Sequence, residues 1–362
     1  MTSLPDNNKT ANERVMSRTI RHSVYLQRYA AGASRDVIGF LEEFVFPDLL
    51  GKLQTRLDRI KARGIDSGPW TTKRYQTMLG DLWTVLKDGT KEANKLVKAD
   101  LVELSKVEAD HVLRSLSGSV PADLDVTFRG LDLRSVQTVV NQPIVGAPMK
   151  DWWAGLAEQT QRRVEQQIGI GMTQGETSEQ IMRRIRGTQA AGFTDGALNV
   201  TRSQAAAIVK TAVNQVSTQT RRATFQENGD LVKGYRWLST LDSNTTPICR
   251  ERDGKVYPVD SNDLPPAHWN CRSTITPILK SFREMGIDKD ELEPSTRASV
   301  NGQVPATTTY ETWLKDQPVS VQNDALGTAR AKAWRAGDLT WSEVNAVNQL
   351  GRPIPLEDLL DD

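Results

Sequence analysis

A chain of 362 residues is longer than one hydrophobic core normally spans, so two or three structural units are expected. Its 46 Lys and Arg offset 45 Asp and Glu, which excludes a global positive field for gathering nucleic acid or anionic membrane and leaves only local patches. Mean hydropathy is −0.48, and no run approaches the roughly 18 apolar residues of a membrane helix, so the sequence reads as a soluble, unsecreted chain without a membrane anchor.

Residues 1–13 are polar with nothing to bury and read as a disordered tail. Residues 14–117 read as an N-terminal α-helical region. Val37, Ile38, Leu41, Val45, Leu49, Leu53, Leu57 and Ile60 recur at threes and fours, with Ser34 as the expected N-cap and Gly64 as the stop. Pro47 should kink or split this helix. A second stripe opens near Pro69 and runs through Tyr75, Leu79, Leu82, Leu86, Ala93, Leu96, Val97, Leu101, Leu104 and Val112, across Gly89. Each stripe needs a partner face, and a helical bundle or hairpin supplies one. Residues 118–148 read as a connection, with alternation at Val126, Phe128 and Leu131 suggesting one short strand.

Helices then resume. Trp152, Trp153, Leu156, Val164 and Ile168 line one that should stop at Gly169 and Gly171. Thr177 with Gln180 forms a capping box for a short helix through Ile181 and Ile185 to Gly187. Thr201 with Gln204 suggests another, opening a long helix over 203–227 that ends at Asn228-Gly229. Beyond it the pattern becomes β: residues 235–241, 255–259 and 272–279 read as short strands separated by Asp, Asn, Gly and Pro. Residues 294–308 read as a linker, and 309–362 as a short helical tail with Trp313, Leu314, Leu326, Ala329, Trp334, Leu339, Val344 and Val347 turned inward. The fold class is therefore α+β: mainly α-helical with long helices, plus a small antiparallel β module near residues 234–279 and a short helical C-terminal tail.

Only two cysteines and three histidines occur in the chain, yet Cys249, His268 and Cys271 fall within one window. A β module of this size has a marginal core and invites a staple. Three soft donors, the last two in His-x-x-Cys spacing, suit a structural zinc, with Asp242 or Asp253 as the nearest carboxylate able to complete a tetrahedron, or water in the fourth position. The alternatives are two reduced core thiols, a disulfide worth about 3 kcal/mol, or a histidine that serves only the turn after Pro265-Pro266. A zinc hydrolase or deaminase would use the same trio, but the deaminase signature is missing because Trp269 and Asn270 follow His268. No Gly-rich phosphate loop is present, so no cofactor beyond a structural zinc is indicated.

The stretch 201–278 resembles the Mu-F-like family of phage head morphogenesis proteins, also called minor capsid proteins. The resemblance rests on the helix VTRSQAAAIVKTAVNQVSTQTRRATFQENG, then KGYRWLSTLDSNTTPICRERDGKVYPV, then LPPAHWNCRSTITPI. Leu241-Asp242, Thr246 with Cys249, Asp253-Gly254 and the run from Pro265 to Arg272 stand in the family's order. The lead-in from Pro143 and the tail to Leu350 are similar to the family's flanking regions. Residues 149–279 are thus identified as a Mu-F-like head morphogenesis domain. One departure is Ser273 after Arg272, where many relatives carry a further cysteine.

The resemblance implies a low-copy virion component without enzymatic activity, made in the host cytoplasm and recruited, in multiple copies per virion, to the portal vertex of the phage head. It would act in procapsid assembly, DNA packaging or ejection, with the portal protein, the major capsid protein or a scaffold protein as partner. Arg162, Arg163, Arg183, Arg184 and Arg186 are candidate DNA contacts; the plainer reading is a solvated face. The competing class is a metal-dependent hydrolase built on Cys249, His268 and Cys271.

Overall fold

Thr10 and Glu13 cap one another in the computed structural model of the chain, which describes residues 10–62, 72–121, 123–288, 296–299 and 302–360. The Thr10 amide donates to the Glu13 carboxylate and the Glu13 amide to Thr10 Oγ1, a capping box that opens helix α1 (Ala11–Phe40). The expected disordered tail is corrected at its described end. Ala11 and Glu13 are buried there, and Asn12 Oδ1 accepts the Leu279 amide at 2.7 Å.

Four further helices span the first half: α2 (Phe46–Ala62), α3 (Thr72–Ser117), α4 (Leu133–Val140) and α5 (Met149–Thr173). Next come α6 (Ser178–Arg186) and α7 (Ala197–Glu227), then β1 (Val232–Leu238), α8 (Pro247–Arg252), β2 (Val256–Tyr257) and β3 (Thr274–Leu279). A hairpin of β4 (Thr296–Ser299) and β5 (Gly302–Pro305) precedes five short helices. These are α9 (Tyr310–Lys315), α10 (Val319–Leu326), α11 (Thr328–Ala336), α12 (Trp341–Val344) and α13 (Leu356–Leu360). The mainly helical α+β class is what the sequence indicates. Residues 1–9, with Gly64 and Pro69, lie outside the described residues.

The chain divides into two compact units, one drawn from residues 28–103 and 140–213, the other from 1–27, 104–139 and 214–362. The first is all helix. Leu41, Leu49, Leu53, Leu82, Val97, Leu101, Trp153, Ile168 and Ile185 are buried in it, as the stripes require. Pro47 acts as expected. A π-helical turn, Leu41–Val45, intervenes between α1 and α2 just before it. Gly89 is needed where it stands, because a Cβ there would lie 2.6 Å from a Val45 methyl.

Three expected boundaries are corrected. Ser34 is not an N-cap; it sits inside α1, its hydroxyl donating back to the Ala30 carbonyl at 2.6 Å. Thr201 lies within α7, buried, its Oγ1 paired with Thr160 Oγ1 at 2.9 Å. Both hydroxyls are satisfied without ending the helix, which is why a cap signal appears where no cap exists. Helix α5 also continues through Gly169 and Gly171. The latter is kept small by Ile181, whose side chain would meet an added Cβ at 2.5 Å.

In the second unit β1 is central, in the order β2-β1-β3, with both pairings antiparallel. Its alternation places Tyr235 opposite Pro277 and Trp237 opposite Ile275. Val232, Tyr235, Ile275 and Leu279 of the sheet form one core with Ala11 and Val15 of α1, Val112 and Leu116 of α3, and Phe225 of α7. The connecting region is corrected in two ways. It contains α4, capped where the Ser135 amide donates to Asp132 Oδ1. Its alternating stretch joins no ladder; instead the Asn228 side chain accepts the Arg129 amide at 2.7 Å and donates to the Arg129 carbonyl at 2.9 Å. Within the expected linker, β4 and β5 pair in register from Thr296↔Pro305 to Ser299↔Gly302, so that region is corrected to a hairpin. The tail closes around Tyr310, Trp313, Leu314, Trp334, Leu339 and Val344, with Leu241 joining them. Ala331 takes the inward place expected of Ala329, which is exposed.

Candidate metal centre

Thr246 has the extended backbone of an N-cap, and Pro247 opens α8 at the position where a missing N–H costs nothing. The Thr246 hydroxyl does not cap the helix. It lies 2.8 Å from His268 Nε2. One turn along α8, Cys249 Sγ sits 3.2 Å from the same nitrogen and 3.6 Å from Cys271 Sγ. The three donor atoms of Cys249, His268 and Cys271 lie within 4.8 Å of one another.

Several contacts hold this arrangement. The Cys271 amide donates to the His268 carbonyl at 3.2 Å, closing a turn in which Asn270 takes a left-handed conformation, φ 58°, that asparagine tolerates. Asn214 Nδ2 of α7 donates to the carbonyls of Cys271 and Ser273, at 2.8 and 3.0 Å. Trp237 donates its indole N–H to Ser239 Oγ, and Ser239 in turn donates to the Cys249 carbonyl at 2.7 Å. The cysteines are 2% and 5% exposed, packed with Trp237 and flanked by Tyr257 and Ala267.

The ring of His268 is oriented by its other nitrogen. Nδ1 lies 2.9 Å from the Trp269 carbonyl, which can only accept, so the proton belongs on Nδ1 and the Nε2 lone pair faces the sulfurs. Contact with Cys271, then burial, pushes the Cys249 thiol up; the hydrogen bond from Cys249 pulls Cys271 well down against its burial. Burial opposes charge on the His268 ring, but hydrogen bonding and attraction to the Cys271 sulfur outweigh it, and its pKa is raised.

The trio singled out in the sequence is brought together. Asp242 is placed otherwise: both its oxygens accept from Arg272, at 2.6 and 2.8 Å, which ties it to an ion pair instead of the sulfurs. Asp253 is buried and engaged by the amides of Ser239 and Tyr310. The arginines singled out as DNA contacts have protein neighbours: Glu158 for Arg162, Gln204 for Arg163, Glu179 for Arg183 and Glu176 for Arg184, while Arg186 lies over the Phe193 ring.

A second polar cluster escaped the sequence reading. Glu108, buried on α3, accepts from Arg221 of α7 and lies 2.6 Å from His22 Nε2 of α1. The His22 ring stacks on His111 at 3.5 Å. Burial opposes the Glu108 charge, yet Arg221 and His22 outweigh it and lower its pKa to about 2. Burial, then the His22 charge, lowers His111 to about 4. The available signal was positional: Glu108 stands four residues from both Leu104 and Val112, and Arg221 four from Phe225, so each lies on an apolar stripe.

The arrangement is a mainly helical α+β domain in which long helices lead into a small three-stranded antiparallel sheet with the Cys249, His268 and Cys271 cluster beside it. Residues 162–276 match the family model described as Phage Mu protein F like protein. The matched stretch is a Mu-F-like domain, in agreement with the motifs from Thr201 to Ile278. No curated protein and no solved structure matches the chain.

Proposed function

We propose that this protein is a minor head protein of a bacteriophage, incorporated in several copies at the portal vertex while the procapsid assembles in the host cytoplasm. The observation that carries the reading is the family match over residues 162–276, which spans α7, β1, α8, β2 and all three residues Cys249, His268 and Cys271. Partners are the portal protein first, then the major capsid or scaffold protein. Its role lies in head assembly, with DNA packaging or ejection following from that position. The two thiols lie buried under Trp237, which supports a structural staple over a substrate-facing hydrolytic centre. No membrane-crossing helix is found among the described residues.

Attachment falls to the helical region rather than to the β module, whose Val232, Tyr235, Ile275 and Leu279 are already taken up in one core with α1, α3 and α7. Phe44 on the π-helical turn is 59% exposed, so Phe44→Asp changes an outer face without opening a core. Co-expression of the full chain with portal, capsid and scaffold proteins should give procapsids that contain it, with portal co-purifying, and Phe44→Asp should weaken that association. Incorporation at full level into procapsids made without portal would refute the portal assignment. DNA contact by Arg162 and Arg183 predicts retention on DNA that falls steeply with salt; a flat salt response would exclude it.

A further inference from the structure

We propose that Cys249, His268 and Cys271 bind one zinc ion that pins α8 to the turn entering β3. In a tetrahedral zinc site, bonds of about 2.3 Å to sulfur and about 2.0–2.1 Å to nitrogen place two sulfurs about 3.8 Å apart and sulfur and nitrogen about 3.6 Å apart. The observed separations are 3.6 Å between the sulfurs and 3.2 Å between Cys249 Sγ and His268 Nε2. These two separations lie within a few tenths of an ångström of the tetrahedral values, and all three donors lie within 4.8 Å of one another.

Three further observations select a metal over two idle thiols. His268 turns its Nδ1 to the Trp269 carbonyl and its Nε2 to the sulfurs, the orientation that a second-sphere carbonyl imposes on a ligating histidine. Asn214 and Ser239 hold the backbone on either side, gripping the Cys271 and Cys249 carbonyls, so the donors are preset by α7 and by the residue that follows β1. Two thiolates with a divalent cation sum to no net charge, which is the state this buried pocket tolerates best. An oxygen already faces the trio. Thr246 Oγ1 lies 2.8 Å from Nε2, so the fourth position falls to that hydroxyl or to a water it holds. Asp242 is not a ligand, since Arg272 holds both its oxygens.

The test uses the full-length protein, purified reduced from zinc-supplemented cells, with metal measured per chain by mass spectrometry and the zinc then exchanged for cobalt. The expected result is about one zinc per chain and, with cobalt, an intense thiolate-to-metal charge-transfer band. Cys271→Ser should lose the metal and the band, whereas Asp242→Asn should keep both. If Cys271→Ser does not fold, thiol alkylation of the wild type decides: zinc should protect Cys249 and Cys271, and a chelator should remove the protection. A wild type that takes up neither zinc nor cobalt, or a Cys249–Cys271 disulfide in the reduced preparation, overturns the proposal. So does loss of metal in Asp242→Asn with retention in Cys271→Ser.

Discussion

Replacing Glu108 by alanine tests the buried network among α1, α3 and α7. The carboxylate is fully buried and Arg221 is 2% exposed, so the substitution leaves a guanidinium inside the protein with Thr274 Oγ1 and the Ile275 carbonyl as its remaining partners. Removing one member of a buried ion pair costs about 3–5 kcal/mol, because the survivor keeps its desolvation and loses its compensation. The carboxylate's own titration gives a consistent figure. A pKa lowered from 4.5 to about 2 corresponds to about 3 kcal/mol of preference for the charged, paired state. Urea unfolding followed by circular dichroism should show Glu108→Ala less stable by that amount with an unchanged m-value. Glu108→Gln should lose less, since it still offers an acceptor. The double variant Glu108→Leu with Arg221→Met should recover much of the loss, because the unpaired charge is gone. A Glu108→Ala protein within about 1 kcal/mol of wild type would refute the reasoning.

Acid should destabilise the protein in two stages. His111 is held neutral with its pKa lowered to about 4, so stability complete above pH 6.5 falls as the unfolded chain takes up that proton, by about 1–2 kcal/mol after solvent screening. Glu108 adds a second loss below pH 4.5 that continues towards pH 2, and His111→Gln should flatten only the first stage in urea midpoints measured against pH. Glycine substitutions should divide by surroundings. In Gly234→Ala the new Cβ would lie 2.5 Å from the Tyr257 carbonyl oxygen, forcing β1 from β2 at a cost of about 2–3 kcal/mol, whereas Gly155→Ala meets nothing within 4 Å inside α5 and should gain about 1 kcal/mol; thermal melts of both check the contrast. Trp313→Ala should cost about 3–5 kcal/mol, and hydrogen exchange should show the loss concentrated in α9, α10 and α11.

Much of the fold was legible because its signals are local. The capping box of Thr177 and Gln180 appears in both its hydrogen bonds, Gly187 follows α6, α7 ends before Asn228-Gly229, and the three β segments are found within a few residues of their expected limits. The crowding of Cys249, His268 and Cys271 into one window likewise pointed to their convergence, since the turn from His268 to Cys271 spans only four residues.

The remainder depended on neighbours remote in the chain. Ser34 and Thr201 carry the residue types of caps, but packing carried both helices past them and left their hydroxyls to a backbone carbonyl and to Thr160. Asp242 looked like a fourth ligand until the fold placed Arg272 against both its oxygens. Alternation at Val126 and Phe128 suggested a strand, but the Val126 amide turns back to the Leu124 carbonyl and the neighbouring Arg129 backbone pairs with the Asn228 side chain. Glu108 and Arg221 read as interruptions in two apolar stripes, and only the approach of α3 to α7 turned them into an ion pair. Periodicity and caps report what one segment prefers for its own backbone. Which polar groups are paired or left bare is decided by distances of about 3 Å between segments a hundred residues apart, and those distances exist only once the helices and the sheet have packed.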